Sequence, residues 1–152
     1  MSDAGKMIGE EINALLLEAP VGHLGLAYGK QPYIVPLNYL YSDGALYFHC
    51  ALKGRKIDYI KANSKACFQV GCYGEVITSD SACSHNYQFS SVIVEGTIEE
   101  VIDVRAKETA LRGIVAKYGD SALAEKPIPA KKIEGVSVYR VVVETITGKT
   151  NS

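Results

Sequence analysis

The chain has 152 residues, 47% of them hydrophobic and 22% charged, with a formal net charge of −1. That length suits one domain with its own core, and the composition excludes a disordered chain. Without a basic surplus nothing favours nucleic-acid binding, and no stretch reaches membrane-spanning length or reads as a secretory leader, so a cytoplasmic protein is expected.

In chain order, Ile8, Ile12, Leu15 and Leu16 form a helical stripe that Ala19-Pro20 ends. Gly22 to Tyr28 reads as a first strand, and Gly29 to Pro32 as a turn into a second strand, Tyr33 to Tyr41. In that second strand Tyr33, Val35, Leu37, Tyr39 and Tyr41 share one face, and Ile34, Pro36, Asn38 and Leu40 share the other. Apolar groups on both faces predict burial on both sides. Pro36 cannot donate to a ladder, so the sheet is expected to be interrupted or edged there. Backbone groups freed by the interruption would need partners, which a ligand edge could supply; a bulge or sheet corner with no ligand fits equally.

Ser42-Asp43-Gly44 is a hairpin turn, and Leu46 to Leu52 is a third strand. Residues 55–62 form a short helix, and Ala66 to Cys72 a fourth strand. Tyr73 to Asn86 is small and polar and is treated as a loop with some strand. Ser91 to Val101 is a long strand in which Gly96 permits a bend or bulge. Asp103 is a helix cap, and the following helix places Val104, Leu111, Ile114, Val115 and Tyr118 on one face. Ala124 to Lys132 is a surface connection, Gly135 to Ile146 the last strand, and Thr147 onward a polar tail. Five to seven hairpin-linked strands with a few helices predict a mainly β fold with flanking α-helices, a small antiparallel barrel. A single domain over residues 7–149 is expected, with flexible termini at 1–6 and 150–152.

Chemistry concentrates at Lys53-Gly54-Arg55-Lys56, where a strand passes through a glycine turn into a helix. Free N–H groups and three cations there make a phosphate cradle, although a solvated corner has the same pattern. His49 lies just upstream; alternation sets Phe48, Cys50 and Leu52 on one face and Tyr47, His49 and Ala51 on the other. If the barrel buries the first set, His49 faces a groove leading to the cradle; a half-buried structural histidine is the competing reading. His49 and Cys50 point apart, which excludes a thiolate–imidazole pair. His23 and His85 show no comparable context. Dinucleotide, Walker, nucleophile-elbow and zincin signatures are absent. The four cysteines lack C-x-x-C spacing, so a metal site is not expected, and three of them sit in apolar or strand-like contexts.

Pro36-Leu37-Asn38-Tyr39, then Tyr47-Phe48-His49-Cys50-Ala51 with Gly54-Arg55-Lys56, then Ser91 to Gly96, and finally Glu144 to Lys149 occur in an order that resembles the FMN-binding split barrels. These are relatives of pyridoxamine 5'-phosphate oxidase, and the likeness is greatest to the nitroimidazole-resistance branch. The resemblance implies a homodimer with FMN at the subunit interface, Arg55 and Lys56 on its phosphate, and Lys53 as a further candidate. It implies that Pro36, Leu37, Asn38 and Tyr39 run along the isoalloxazine beside Phe48, His49, Cys50 and Ala51. Ser90 and Ser91 match positions of polar contacts from the second subunit. His49 is then a substrate-side polar group or proton donor. The chain has no Trp and lacks the substrate-phosphate motif of the oxidase, which argues against oxidation of the vitamin phosphate. The implied function is an FMN-dependent oxidoreductase passing electrons to a small organic acceptor such as a nitroaromatic. A non-catalytic FMN carrier and a haem- or deazaflavin-binding barrel are the alternatives. Electron donor, substrate and any role of Cys72, Cys83 and the 73–86 loop stay open.

Overall fold

Eight strands, the longer of which alternate buried and exposed residues, form one antiparallel sheet in a computed structural model that describes residues 5–151. The strands are β1 (Gly5–Lys6), β2 (Gly22–Tyr28), β3 (Gln31–Leu37), β4 (Leu40–Ser42), β5 (Ala45–Cys50), β6 (Lys65–Ile77), β7 (Asn86–Glu100) and β8 (Ser137–Thr150). Their order is β3-β2-β6-β7-β8-β5-β4, with β1 also on β8. The helices are α1 (Gly9–Glu18), α2 (Arg55–Ala62), α3 (Val104–Tyr118), α4 (Ser121–Ala124) and α5 (Ala130–Glu134).

Strands β3 and β4 lie at opposite edges of that order, yet only Asn38 and Tyr39 separate them. Six inter-strand steps of about 4.8 Å would set the edges of a flat sheet roughly 29 Å apart. Three Cα steps reach at most about 11 Å. The sheet must therefore curl until its edges nearly meet, which is a barrel split along one seam. Its interior holds Leu24, Leu46, Phe48, Phe68, Val70, Val92, Val94 and Val141, all fully buried, with Leu16 of α1 entering from one end. A second, smaller cluster of Val101, Ala110 and Val138, with Tyr47, Ala106 and Leu111 against it, lies where α3 covers the outside of β5 and β8.

Several expectations hold. Asp43 and Gly44 take positive φ (49° and 72°) in the two-residue β4–β5 turn. The Asp103 carboxylate caps α3 by accepting from Ala106 N–H at 2.9 Å. At Gly96 the β7–β8 register shifts by one residue. A Cβ there would stand 2.1 Å from the Val142 carbonyl oxygen, so only glycine permits the approach.

Others are corrected. The strand expected over 33–41 is two strands parted at Asn38–Tyr39, while Pro36 does lie, as expected, on an edge, strand β3, opposite His23. Burial is one-sided: Leu37 and Tyr39 are buried, whereas Ile34 is 70% exposed and Pro36 and Asn38 are open. Residues 73–86 are, as expected, a loop with some strand: β6 runs to Ile77 and β7 begins at Asn86, so a short ribbon that neither β2 nor β8 flanks carries a loop over 78–85. The polar tail continues β8 to Thr150, where Gly5 and Lys6 pair with it. Thus parts of both termini expected to be flexible are strand; residues 1–4 and 152 lie outside the described residues. On α3, Ala110 and Ile114 are buried, while Val104 faces outward. Cys67 and Cys72 are exposed rather than packed as small hydrophobes.

Candidate anion-binding site

The seam accounts for the first group of expected site residues. Ending β3 at Leu37 frees the Tyr39 backbone, and α3 satisfies it. Tyr39 N–H donates to the Tyr118 hydroxyl at 3.0 Å, and Lys117 Nζ donates to the Tyr39 carbonyl at 3.1 Å. The Tyr39 phenol is fully buried and donates to the Leu16 carbonyl at 2.6 Å. The partners expected from a ligand edge thus come from α3 instead. Leu37 and Tyr39 are core groups, and only Pro36 and Asn38 of this set are exposed. Lys117 lies 3.6 Å above the Tyr39 ring, and burial lowers its pKa to about 8. Burial likewise holds the Tyr39 phenol well above its ordinary value.

At the end of β5, bends at Leu52, Lys53 and Gly54 lead into α2. Gly54 has φ +147°, a region that residues with a Cβ rarely adopt. Glycine as the N-cap brings no side chain, so no side-chain hydrogen bond caps the first turn of α2. Its free N–H groups, with Arg55 and Lys56 among them, present positive charge outward. A cavity of about 220 Å³ opens there, lined by Tyr33, Val35, Cys50, Lys53, Arg55, Lys56 and their neighbours, with no carboxylate among them. Arg55 is oriented from below: its guanidinium carbon lies 4.2 Å over the Tyr33 ring, and Nη2 donates to the Tyr59 hydroxyl at 3.4 Å. Tyr33 and Tyr59 pack on one another at 5.2 Å between centroids. Burial raises the pKa of the Cys50 thiol; Lys56 pulls it down and Glu100 pushes it up. Cys50 is therefore a neutral wall of the cavity.

The basic turn borders a concave pocket with no acidic side chain in its lining, at the start of a helix that lacks a side-chain cap, and Lys53 and Arg55 are themselves exposed. Lys53, Arg55, Lys56, Cys50 and Ala51 are brought together. Phe48 is not part of the pocket, being fully buried and stacked on Tyr139 at 5.9 Å. His49 does not face the cradle either. It lies on the opposite side of β5 and opens into a different cavity, under α3. The barrel interior claims Phe48 and its face of the strand, so His49 points toward α3 rather than along a groove to Arg55.

Ser90 and Ser91 are also apart from the cradle within one chain. The Ser90 hydroxyl lies 2.9 Å from that of Thr150, and the Ser91 hydroxyl accepts from Gln69 Nε2 at 3.1 Å. Gln69 Oε1 in turn accepts from His23 Nδ1 at 3.2 Å, a chain on the outer sheet face beside Pro36. Sequence reasoning passed over Tyr33 and Tyr59, and with them His23 and Gln69. Tyr59 was detectable as the (i, i+4) neighbour of Arg55 on α2, but Tyr33 and Gln69 gain meaning only from strand pairing. Beyond Tyr33 lies a larger groove of about 710 Å³ on the outer face, with Gly25, Ala27 and Cys67 on its floor and Ile34 on its wall. Among the described residues no group of three or more His, Cys, Asp and Glu side chains could hold a metal ion, and no helix is long and apolar enough to cross a membrane.

Known proteins share this fold. An uncharacterised protein of Rhizobium meliloti (strain 1021) is 30% identical over 92 residues, 60% of this chain and 54% of that protein, so the match spans about half the relative's length. A candidate 5-nitroimidazole antibiotic resistance protein from Bacteroides thetaiotaomicron superposes with a TM-score of 0.82 at 24% identity, over 97% of this chain and 87% of that one. An FAD-binding protein from Mesorhizobium loti gives 0.74 at 25% identity over 99% of both chains. The flavocytochrome Anf3 of Azotobacter vinelandii gives 0.84 at 23% identity, over 95% of this chain and 68% of that one. Residues 9–150, nearly the whole chain, match a family described as pyridoxamine 5'-phosphate oxidase, and the chain belongs to that family.

Proposed function

We propose that this chain is an FMN-binding oxidoreductase that passes electrons from a reductant to a small organic acceptor, with nitroaromatics as the acceptor class to test first. The observation that carries the reading is the acid-free cradle at the start of α2. Its dimensions suit one terminal phosphate, and its three cations match a dianion. Arg55 and Lys56 hold the phosphate with the α2 amides, and Lys53 closes the rim. Tyr33 borders both the cradle and the larger outer groove, whose lining also carries Lys65, Glu95 and Glu144. The bound flavin supplies the redox chemistry, and the protein supplies position and access.

A second reading, FAD in place of FMN, is favoured by the Mesorhizobium loti relative, whose name specifies FAD. Both share the cradle and differ in what extends beyond it. Homodimerisation belongs to the same proposal: the outer sheet face is uncovered, with Ile34, Ile93, Tyr73 and Val76 exposed along it, and a second copy would bury them and close the groove. Ser90 and Ser91 would then act across that interface.

The protein as purified should be yellow, and heat-released cofactor should co-elute with FMN on reversed-phase chromatography. Co-elution with FAD selects the second reading. Colourless protein that takes up neither flavin overturns both. Stopped-flow mixing of the reduced protein with a nitroaromatic panel separates an enzyme, which reoxidises over repeated turnovers, from a carrier, which does not.

A further inference from the structure

A second cavity, about 340 Å³, lies on the far side of β5 from the cradle, between α3 and the strap that runs through α4 and α5. Its volume falls within the range of small-molecule sites, about 300–1,000 Å³. Leu111, Val115, Leu123, Ile128 and Val136 form the walls, and Leu123 is 51% exposed into the opening. Apolar walls facing each other across a gap would ordinarily collapse together.

Polar staples keep them apart. Arg112 Nε and Nη2 donate to the carbonyls of Lys126 and Glu125 at 3.2 and 2.9 Å. Glu108 accepts from Ile128 N–H at 3.2 Å, and Lys107 Nζ donates to the Val136 carbonyl at 3.0 Å. The strap is thus pinned to α3 along its length while its apolar side chains stand off.

Charge defines what fits. The lining carries His49, Arg112, Lys126 and Lys132 and no carboxylate, in a chain whose overall charge is −1. Arg112 is occupied by the staples and by Glu108 at 3.7 Å. Lys126, Lys132 and His49 remain as the polar side chains of the mouth.

We propose that this strap pocket is a second binding site, for a small apolar carboxylate whose hydrocarbon part fills the space between α3 and the strap and whose anionic end meets Lys126 and Lys132. The site is separate from the cradle, since adjacent residues His49 and Cys50 open to opposite sides of β5, and it does not rest on flavin binding.

The test is a titration of the ¹⁵N-labelled full chain with 4-phenylbutanoate and, in parallel, with its uncharged amide. Saturable amide shifts confined to residues 111–136, with the acid binding at least about fivefold tighter than the amide, are expected. The double variant Lys126→Glu with Lys132→Glu, which changes only exposed side chains, should abolish the preference for the acid. Ala124→Phe, which fills the cavity, should weaken both ligands. Equal affinity for acid and amide overturns the proposal, as does an acid preference that survives the charge reversal. Shifts absent from residues 111–136, or an Ala124→Phe protein binding both probes as wild type does, overturn it as well.

Discussion

Lys117 shows what one half-buried cation does to stability. Its ammonium sits over the Tyr39 ring with no carboxylate beside it, and its pKa falls from 10.5 to about 8. Between pH 8 and about 10 the unfolded chain keeps a proton that the folded chain has released, so stability should rise with pH. Above pH 10 the sign reverses, because folding keeps the Tyr39 phenol protonated where the unfolded chain would ionise it. Urea midpoints from pH 7 to 11 should therefore pass through a maximum, and Lys117→Met should flatten the rise between 8 and 10. Arg55 and Lys56 make the opposite kind of prediction. Both side chains lie on the surface of α2, so Arg55→Ala with Lys56→Ala should leave the thermal midpoint of the flavin-free protein nearly unchanged. FMN affinity, read from flavin fluorescence quenching, should fall by at least about tenfold. Unaltered affinity would move the phosphate elsewhere.

Among the elements, what the sequence made legible was whatever local chemistry decides. α2 is recovered at its observed limits because a glycine turn opens it and Ile57 and Ile60 anchor it. Gly44 and Gly96 announce a turn and a bulge, since each serves a backbone need that other residues meet poorly. Gly96→Ala should thus cost roughly 1–3 kcal/mol in chemical denaturation, as over-packing against a backbone carbonyl does. Non-local decisions were illegible. The break at Asn38–Tyr39 is completed by Tyr118, 79 residues away, and no pattern near Pro36 could name that partner. The extension of β6 and β7 past the main sheet pairs Tyr73 with Phe89 and Val76 with Tyr87 across a register shift, and a bulge of that kind breaks the alternation that would have announced it. His49 was misdirected for a related reason: alternation fixes which residues share a face, but only the position of α3 says what that face meets. In the candidate site, the cations were readable from spacing, and the aromatic platform of Tyr33 beneath Arg55 was not.

At the scale of the molecule, the curled sheet leaves one broad face without cover, and the proposed dimer follows from that. Ile34 is 70% exposed and makes little contribution to the monomer's core. Ile34→Lys should therefore keep the secondary structure and melting behaviour of an isolated subunit while shifting the sedimentation coefficient from dimer to monomer. A wild type that already sediments as a monomer would sink the dimer. Strand order carries a further consequence, for synthesis. β8 joins β7 to β5, so the strand translated last of the eight lies between strands translated long before it. On the ribosome, β2, β3, β6 and β7 can associate as one half-sheet and β4 with β5 as another, each showing an unpaired apolar edge. Neither half can close on the other until residues 137–150 leave the exit tunnel. Barrel closure therefore waits on β8, and the interval before it is when the nascent halves are most open to chaperones and to mispairing with neighbouring copies.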